Sequence, residues 1–110
     1  GASDAIITID QEGTVRFFNK AAEELWGVEK DMIVGRNVQK LFPKKLDEYE
    51  EFIQRFVDPD KEKIVGERKE VTITHAGGED LPVIFLLSMA KVDKETTYTA
   101  FIQNISVDLF

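Results

Sequence analysis

Thr14-Val-Arg-Phe-Phe-Asn-Lys-Ala-Ala-Glu-Glu-Leu-Trp-Gly27 holds a strand, a cap and a helix in one short stretch. Val15 and Phe17 fall on one parity, Arg16 and Phe18 on the other, and such period-two alternation marks a strand. Asn19 then stands where a helix begins, since its side-chain oxygen can accept a hydrogen bond from a free N–H of the first turn. Ala21, Ala22, Glu23, Glu24 and Leu25 are good helix formers. Gly27 supplies the stop, because a left-handed residue without a Cβ is unstrained there. Just upstream, Asp10-Gln-Glu-Gly13 reads as a turn. Ala5-Ile-Ile-Thr-Ile9 reads as a strand that completes a hairpin with Thr14–Phe18.

Downstream, Val28 to Val34 is expected to be a short helical turn ended by Gly35, and Asn37 to Phe42 another before Pro43. Proline suits the first helical position, which needs no N–H, so the longest helix is expected over Lys44 to Val57. Leu46, Tyr49, Ile53 and Phe56 recur at helical spacing and share one face. Asp58-Pro-Asp60 ends that helix. Three strands follow the charged loop at Lys61–Lys63. In the first, Lys69, Val71 and Ile73 share one parity. His75-Ala-Gly-Gly-Glu-Asp80 is a hairpin connection. Leu81 to Val92 is apolar on both parities, which predicts a strand covered on both sides. Asp93-Lys-Glu95 turns the chain into a last strand over Thr96 to Ile105. Five strands with helices inserted after the second make an α+β domain.

The chain has 110 residues, a length that builds one domain with one adequate core. Residues 1–110 are therefore expected to form a single domain. A net charge of −7 argues against nucleic-acid or anionic-membrane partners, which call for clustered Lys and Arg. No apolar run reaches the roughly 20 residues of a membrane span, and nothing has the form of a signal peptide. A cytoplasmic location is expected. Cysteine is absent, which excludes disulfides, thiolate metal centres and thiol nucleophiles. With a single His, a structural zinc site lacks ligands. That residue, His75, lies in a turn, and no Ser-His-Asp set accompanies it. Gly77-Gly78 joins two strands, whereas a phosphate loop leads from a strand into a helix. The domain itself is expected to be non-catalytic.

The order of these features resembles the PAS domain family. The resemblance rests on the strand leading into Asn19-Lys-Ala-Ala-Glu23 and Gly27, on the later Ile33-Val-Gly-Arg36, and on the Asp10–Gly13 turn. It also rests on the closing Phe101-Ile-Gln-Asn-Ile-Ser106, where Asn104 and Ser106 take the family's usual Asp and Thr places. It implies a five-stranded antiparallel sheet of order 2-1-5-4-3. Helices inserted between strands 2 and 3 would pack over its concave face and enclose a pocket. It further implies a sensory module of a larger signalling protein, of the histidine-kinase or chemoreceptor type, continuing through Val107–Phe110 toward an output domain. Lack of cysteine excludes the cysteinyl-flavin adduct and the thioester-linked chromophore found elsewhere in the family.

Glu48-Tyr-Glu-Glu-Phe-Ile-Gln-Arg-Phe56, with Lys63-Ile-Val-Gly66 beyond it, is similar to the FixL-type heme-binding oxygen sensors of that family. There a helix His ligates the iron. Ungapped matching puts Tyr49 in that place, so the axial His is absent. A phenolate would be the substitute ligand, and a core aromatic with a satisfied hydroxyl is the plain alternative. By the same resemblance Ile64, Phe85, Leu87, Tyr98 and Ala100 line the pocket, with Phe52 beside them. Lys69 matches a basic residue that meets the cofactor's propionate or the bound gas; snorkelling to solvent is the alternative. The cofactor stays open between heme, another small ligand and none, because Phe52, Phe56, Phe85, Met89 and Tyr98 are bulky enough to fill the space. On the opposite parity, Ile6, Phe18, Ile84, Leu86 and Phe101 form an apolar outer face. Such patches mark interfaces, and a homodimer through this face is expected. Three functions follow: a ligand or partner sensor relaying through sheet and C-terminus, a heme-based gas or redox sensor using Tyr49, and a ligand-free dimerisation module.

Overall fold

Alternation in the sequence becomes alternation in burial. In β1, Ala5–Asp10, residues Ala5, Ile7 and Ile9 are buried, while Ile6, Thr8 and Asp10 are half-buried. The computed structural model describes residues 4–106. Its elements are β1, β2 (Val15–Phe18), α1 (Lys20–Trp26), α2 (Glu51–Val57), β3 (Arg68–Thr74), β4 (Asp80–Val92) and β5 (Glu95–Asn104). Single 3-10 turns at Lys30–Met32, Val38–Leu41 and Leu46–Glu48 join α1 to α2. The strands form one antiparallel sheet in the order β2-β1-β5-β4-β3. This is the α+β architecture expected from the sequence pattern and the strand order that the family resemblance implies. Val107–Phe110, the expected route to an output domain, lies outside the described residues.

The first hairpin is fixed by Asp10. One carboxylate oxygen accepts from the amides of Glu12 (3.0 Å) and Thr14 (2.9 Å), and the other meets Arg16 Nη2 at 2.7 Å. Asn19 does three jobs at the start of α1. Its Oδ1 accepts from the Ala22 amide and from the Ile6 amide, both at 2.9 Å, and its Nδ2 donates to the Asp4 carbonyl. The helix cap is thereby also the tie to β1. Gly27 closes α1 at φ +71°, and the His75 ring lies so close that an added Cβ would stand 2.4 Å from Nε2. Both the backbone and the neighbour require glycine there.

Two expectations are corrected. Strict alternation placed Phe18 on the outer face, yet Phe18 pairs with Ile7 and is buried. The register slips between Thr8 and Ile9, so that Ile9 opposes Val15 and Arg16 is the extra residue of a bulge. The bulge turns Phe17 outward, where it is 51% exposed. The second correction concerns the helix expected over Lys44 to Val57. Tyr49 is extended (φ −98°, ψ 159°), and α2 starts only after Glu50. Tertiary hydrogen bonds override the helical pattern here. The Thr72 amide donates to the Glu50 carboxylate at 3.0 Å, Gln54 Nε2 donates to the Tyr49 carbonyl at 2.8 Å, and the Lys44 amide donates to the Tyr49 hydroxyl at 2.9 Å.

β4 also departs from expectation. Ile84 and Leu86 are only half-buried on its outer side, and Ser88 to Val92 are exposed. Among the described residues nothing covers that face.

Burial alone would raise the Asp10 pKa, but the amides of Thr14 and Glu12 and the Arg16 guanidinium outweigh it and hold the carboxyl below its ordinary 3.8. A depressed folded-state pKa gives stability that is present above the unfolded value and lost as pH falls through the folded one. Asp10→Asn should therefore cost on the order of 1–3 kcal/mol near neutrality. In urea titrations the gap between variant and wild type should shrink as pH falls below 3.8. A gap independent of pH would show that the carboxylate charge is not what the turn uses.

Candidate functional site

The helical half meets the sheet through aromatic rings. Phe85 of β4 packs edge-on against Phe52 (centroids 5.5 Å apart) and Phe56 (5.6 Å) of α2. Phe42 packs in the same manner against Phe56 (6.3 Å), Tyr49 (5.5 Å) and Trp26 (6.2 Å), and Trp26 meets Phe18 at 6.2 Å. Edge-to-face contact is the favoured geometry for such rings. The Trp26 indole N–H donates to the Leu41 carbonyl, which satisfies the one polar atom of that ring.

The structure therefore brings Tyr49, Phe52, Phe85, Leu87 and Ala100 together in one buried cluster. Ile64 and Tyr98 pack half-buried at its margin. Lys69 stands opposite Phe85 in the ladder, but its side chain is 40% exposed and its ammonium pairs with Glu67 at 3.3 Å. Lys69 thus turns to solvent, and so does Met89, expected to help fill the space but 52% exposed.

Lys63 is a residue the sequence reading passed over. It is buried, its Nζ donates to the Arg55 carbonyl near the end of α2 at 3.2 Å, and it lies 5.1 Å from the centre of the Tyr98 ring. Burial pushes its pKa below the ordinary lysine value, with the Asp58 carboxylate acting the other way. One cation thus bridges α2 and β5, a helix-end contact combined with a cation–π contact. Nothing in local pattern separates it from Lys61, which is exposed.

Heme can be tested against these residues. It calls for a flat slot and an axial donor. Ring contacts of Phe85 with Phe52 and Phe56 occupy the space between α2 and β4, α2 carries no His, and the Tyr49 hydroxyl accepts a backbone hydrogen bond. The residues present do not fit a heme between helix and sheet. Among the described residues no His, Asp or Glu cluster could hold a metal ion. A groove of about 400 Å³ elsewhere, lined by Asp10, Glu12, Arg16, Asp93 and Glu95, is polar and open.

The outer face has a different character. Ile6, Phe101 and Leu86 stand in one cross-strand row, extended by Arg68 of β3. Phe17, Thr8, Thr99 and Ser88 form the next row. The hydroxyls of Thr8 and Thr99 are 2.9 Å apart. Ile84 lies between Glu70 and Gln103. Ile6, Ile84, Leu86 and Phe101 take the outward places expected of them, and Phe17 takes the place assigned to Phe18.

Residues 3–107 match the model of the PAS domain. The chain belongs to the PAS domain family. Over 104 residues, 94% of its length, this PAS domain is 28% identical to the Oxygen sensor protein DosP of Escherichia coli and covers 13% of that protein. It is 27% identical over the same length to the Sensor protein FixL of Bradyrhizobium diazoefficiens, covering 94% of this chain and 21% of that one. The PAS domain thus spans about a fifth or less of these relatives. The LOV domain of a blue-light activated histidine kinase from Erythrobacter litoralis superposes with a TM-score of 0.71, at 16% identity, over 97% of this chain and all of that one. The PAS domain of an HTR-like protein from Haloarcula marismortui gives 0.67 at 19% identity, over 93% and 81%. These likenesses show the fold. Membership of the family makes the chain a sensory domain of the kind found in signalling proteins.

Two substitutions probe the packed core. Phe85→Ala should cost about 3–5 kcal/mol, because the rings of Phe52 and Phe56 lose their common partner. Tyr49→Phe should cost roughly 0.5–1.5 kcal/mol and no more. Added hemin should give the same absorption spectrum with wild type and Tyr49→Phe. A Soret band that depends on the Tyr49 hydroxyl would overturn the account of the core.

Proposed function

We propose that this PAS domain is an interaction module of a larger signalling protein, acting through protein contact at its outer sheet face, with a second copy of the domain as the partner. The observation that carries the reading is the contrast between the two faces of one sheet. The inner face is filled by interlocked rings, whereas the outer face presents Phe17, Ile6, Phe101, Leu86 and Ile84 with no cover among the described residues. Polar side chains of Arg68, Glu70 and Gln103 rim that band, as at protein interfaces. A two-fold contact buries the same patch on both partners, and a band lying across the middle of the sheet suits it.

β5 carries Phe101 at the centre of this face and leads to the C-terminus, so a contact there has a direct path to an output domain. A kinase or chemoreceptor output and a cytoplasmic setting belong to this proposal; no helix among the described residues is long and apolar enough to cross a membrane. The heme-based oxygen-sensing reading draws on the names of DosP and FixL, and the packing around Phe85 and the Tyr49 hydrogen bond count against it. For the same reason a small ligand enclosed by the helical half has the weaker support.

Sedimentation velocity tests the proposal. Wild type should dimerise, and Leu86→Asp or Phe101→Asp should weaken the association at least tenfold. Val65→Asp, outside the sheet, should not. Retained circular dichroism spectra would confirm that the variants fold. A monomer at every wild-type concentration, or an unchanged dimer in Leu86→Asp, would sink the idea.

A further inference from the structure

β4 is much longer than its neighbour. It pairs with β5 as far as Val92↔Glu95, but with β3 only from Asp80 to Leu86. The Gly66 amide reaches one step further, donating to the Leu87 carbonyl at 2.9 Å. Gly66 then bends the chain away through a positive φ of +84°. From Ser88 to Val92, β4 is therefore an edge strand inside a sheet whose recorded edge is β3, and all five residues are exposed.

Backbone direction alternates along a strand. The Pro82 carbonyl accepts from Ile105 beyond the end of β5, and the Leu87 carbonyl accepts from Gly66 on the β3 side. Even-numbered residues of β4 thus bond β5, and the N–H and C=O groups of Met89 and Lys91 point to the open edge. No proline or bulge interrupts this stretch, so the usual protections of an edge are limited to the Lys91 charge. Met89 is 52% exposed although it lies on the inner-face parity. Lys91 lies on that parity too and makes no ion pair among the described residues.

We propose that the free edge at Ser88–Val92 binds an extended peptide segment by strand addition, continuing the sheet past the end of β3. An antiparallel strand would exchange hydrogen bonds with Met89 and Lys91. Its residue opposite Lys91 is acidic, meeting an unpaired ammonium. The residue two places on, opposite Met89, is apolar and covers the exposed thioether. The residue between them points to the outer side, where Ala90 leaves room for any side chain. The ligand class is an extended segment with an acid-x-apolar pattern. It is independent of the sheet-face proposal, because Leu86 and Phe101 take no part.

The probe is a fluorescein-labelled, end-capped peptide, Ser-Val-Glu-Val-Leu-Val-Ser, followed by anisotropy and by amide shifts of labelled protein. Saturable binding should perturb the Met89 and Lys91 amides first. Lys91→Pro removes an edge donor but no bond to β5, and should weaken binding at least tenfold. Lys91→Glu keeps the backbone and should reverse the charge preference, favouring the peptide with Lys in place of Glu. Leu86→Asp should bind as wild type does. Absence of saturable binding up to millimolar peptide, wild-type affinity in Lys91→Pro, or an unchanged charge preference in Lys91→Glu would overturn the proposal. So would concentration-dependent shifts of these amides without peptide, since a second copy would then occupy the edge.

Discussion

The contact of Phe85 with Phe52 and Phe56 is the joint between the two halves of the domain. α2 has only seven residues, too few to be helical alone in water. It exists because Phe52, Ile53, Phe56 and Val57 are buried against the sheet. Each such side chain removed from water contributes about 1.5–3 kcal/mol, and ring pairs add roughly 0.5–1.5 kcal/mol. Phe42 then extends the contact to Tyr49 and Trp26. The linking segment is tied to the first hairpin by backbone bonds, Val15 to Arg36 (2.8 Å), Gly35 to Val15 (2.7 Å) and Val38 to Gly13 (2.8 Å), and Phe42 joins its far end to α2 through Phe56.

Apolar burial supplies the energy, and a small set of polar bonds sets the positions. Asn19 places α1 on β1, Glu50 places the start of α2 on β3, and Lys63 places its end near β5. Ile6 and Asn19 are 13 residues apart and Glu50 and Thr72 are 22 apart, so these two ties join separate elements of the fold. Among the described residues no buried side-chain nitrogen or oxygen lacks a partner. The polar groups of the core therefore hold its elements in place while the rings fill the space between Phe85 and α2.

The strands, the Asn19 cap and the Gly27 stop were legible because each depends on neighbours in sequence. Alternation grouped the residues of β1, β4 and β5 by parity, and the PAS resemblance said which parity faces the helices; β4, apolar on both parities, gave no such signal by itself. Parity failed in β2 because a bulge is a property of two strands. Arg16 becomes the extra residue when its guanidinium reaches Asp10 across the hairpin, and period-two counting along one strand cannot register that. The helix broke at Tyr49 for a related reason. Leu46, Tyr49, Ile53 and Phe56 do have helical spacing, but Glu50 and Gln54 are claimed by the Thr72 amide and the Tyr49 carbonyl. Of the candidate site, the resemblance named Phe52, Phe85, Leu87 and Ala100, which the fold gathers in one cluster. Its closure was not legible, since the distance between Phe85 and α2 depends on packing.

The packed inner face bears on the contact proposed at the outer one. β5 is the central strand, paired to β1 from Ala5 to Asp10 and to β4 from Val83 to Val92. Its residues alternate between Ala100 and Ile102 in the core and Phe101 on the outer face. A displacement on one side must move the other, because a strand has no slack between successive residues. With rings locking the inner side, a rearrangement that starts there must first break the Phe85 contacts. One that starts at the outer face, or at the unpaired end of β4, meets half-buried and exposed side chains whose environment can change at little cost. Under the proposed reading, a partner at the outer face would act on these looser side chains, with the packed helical half as the resistance.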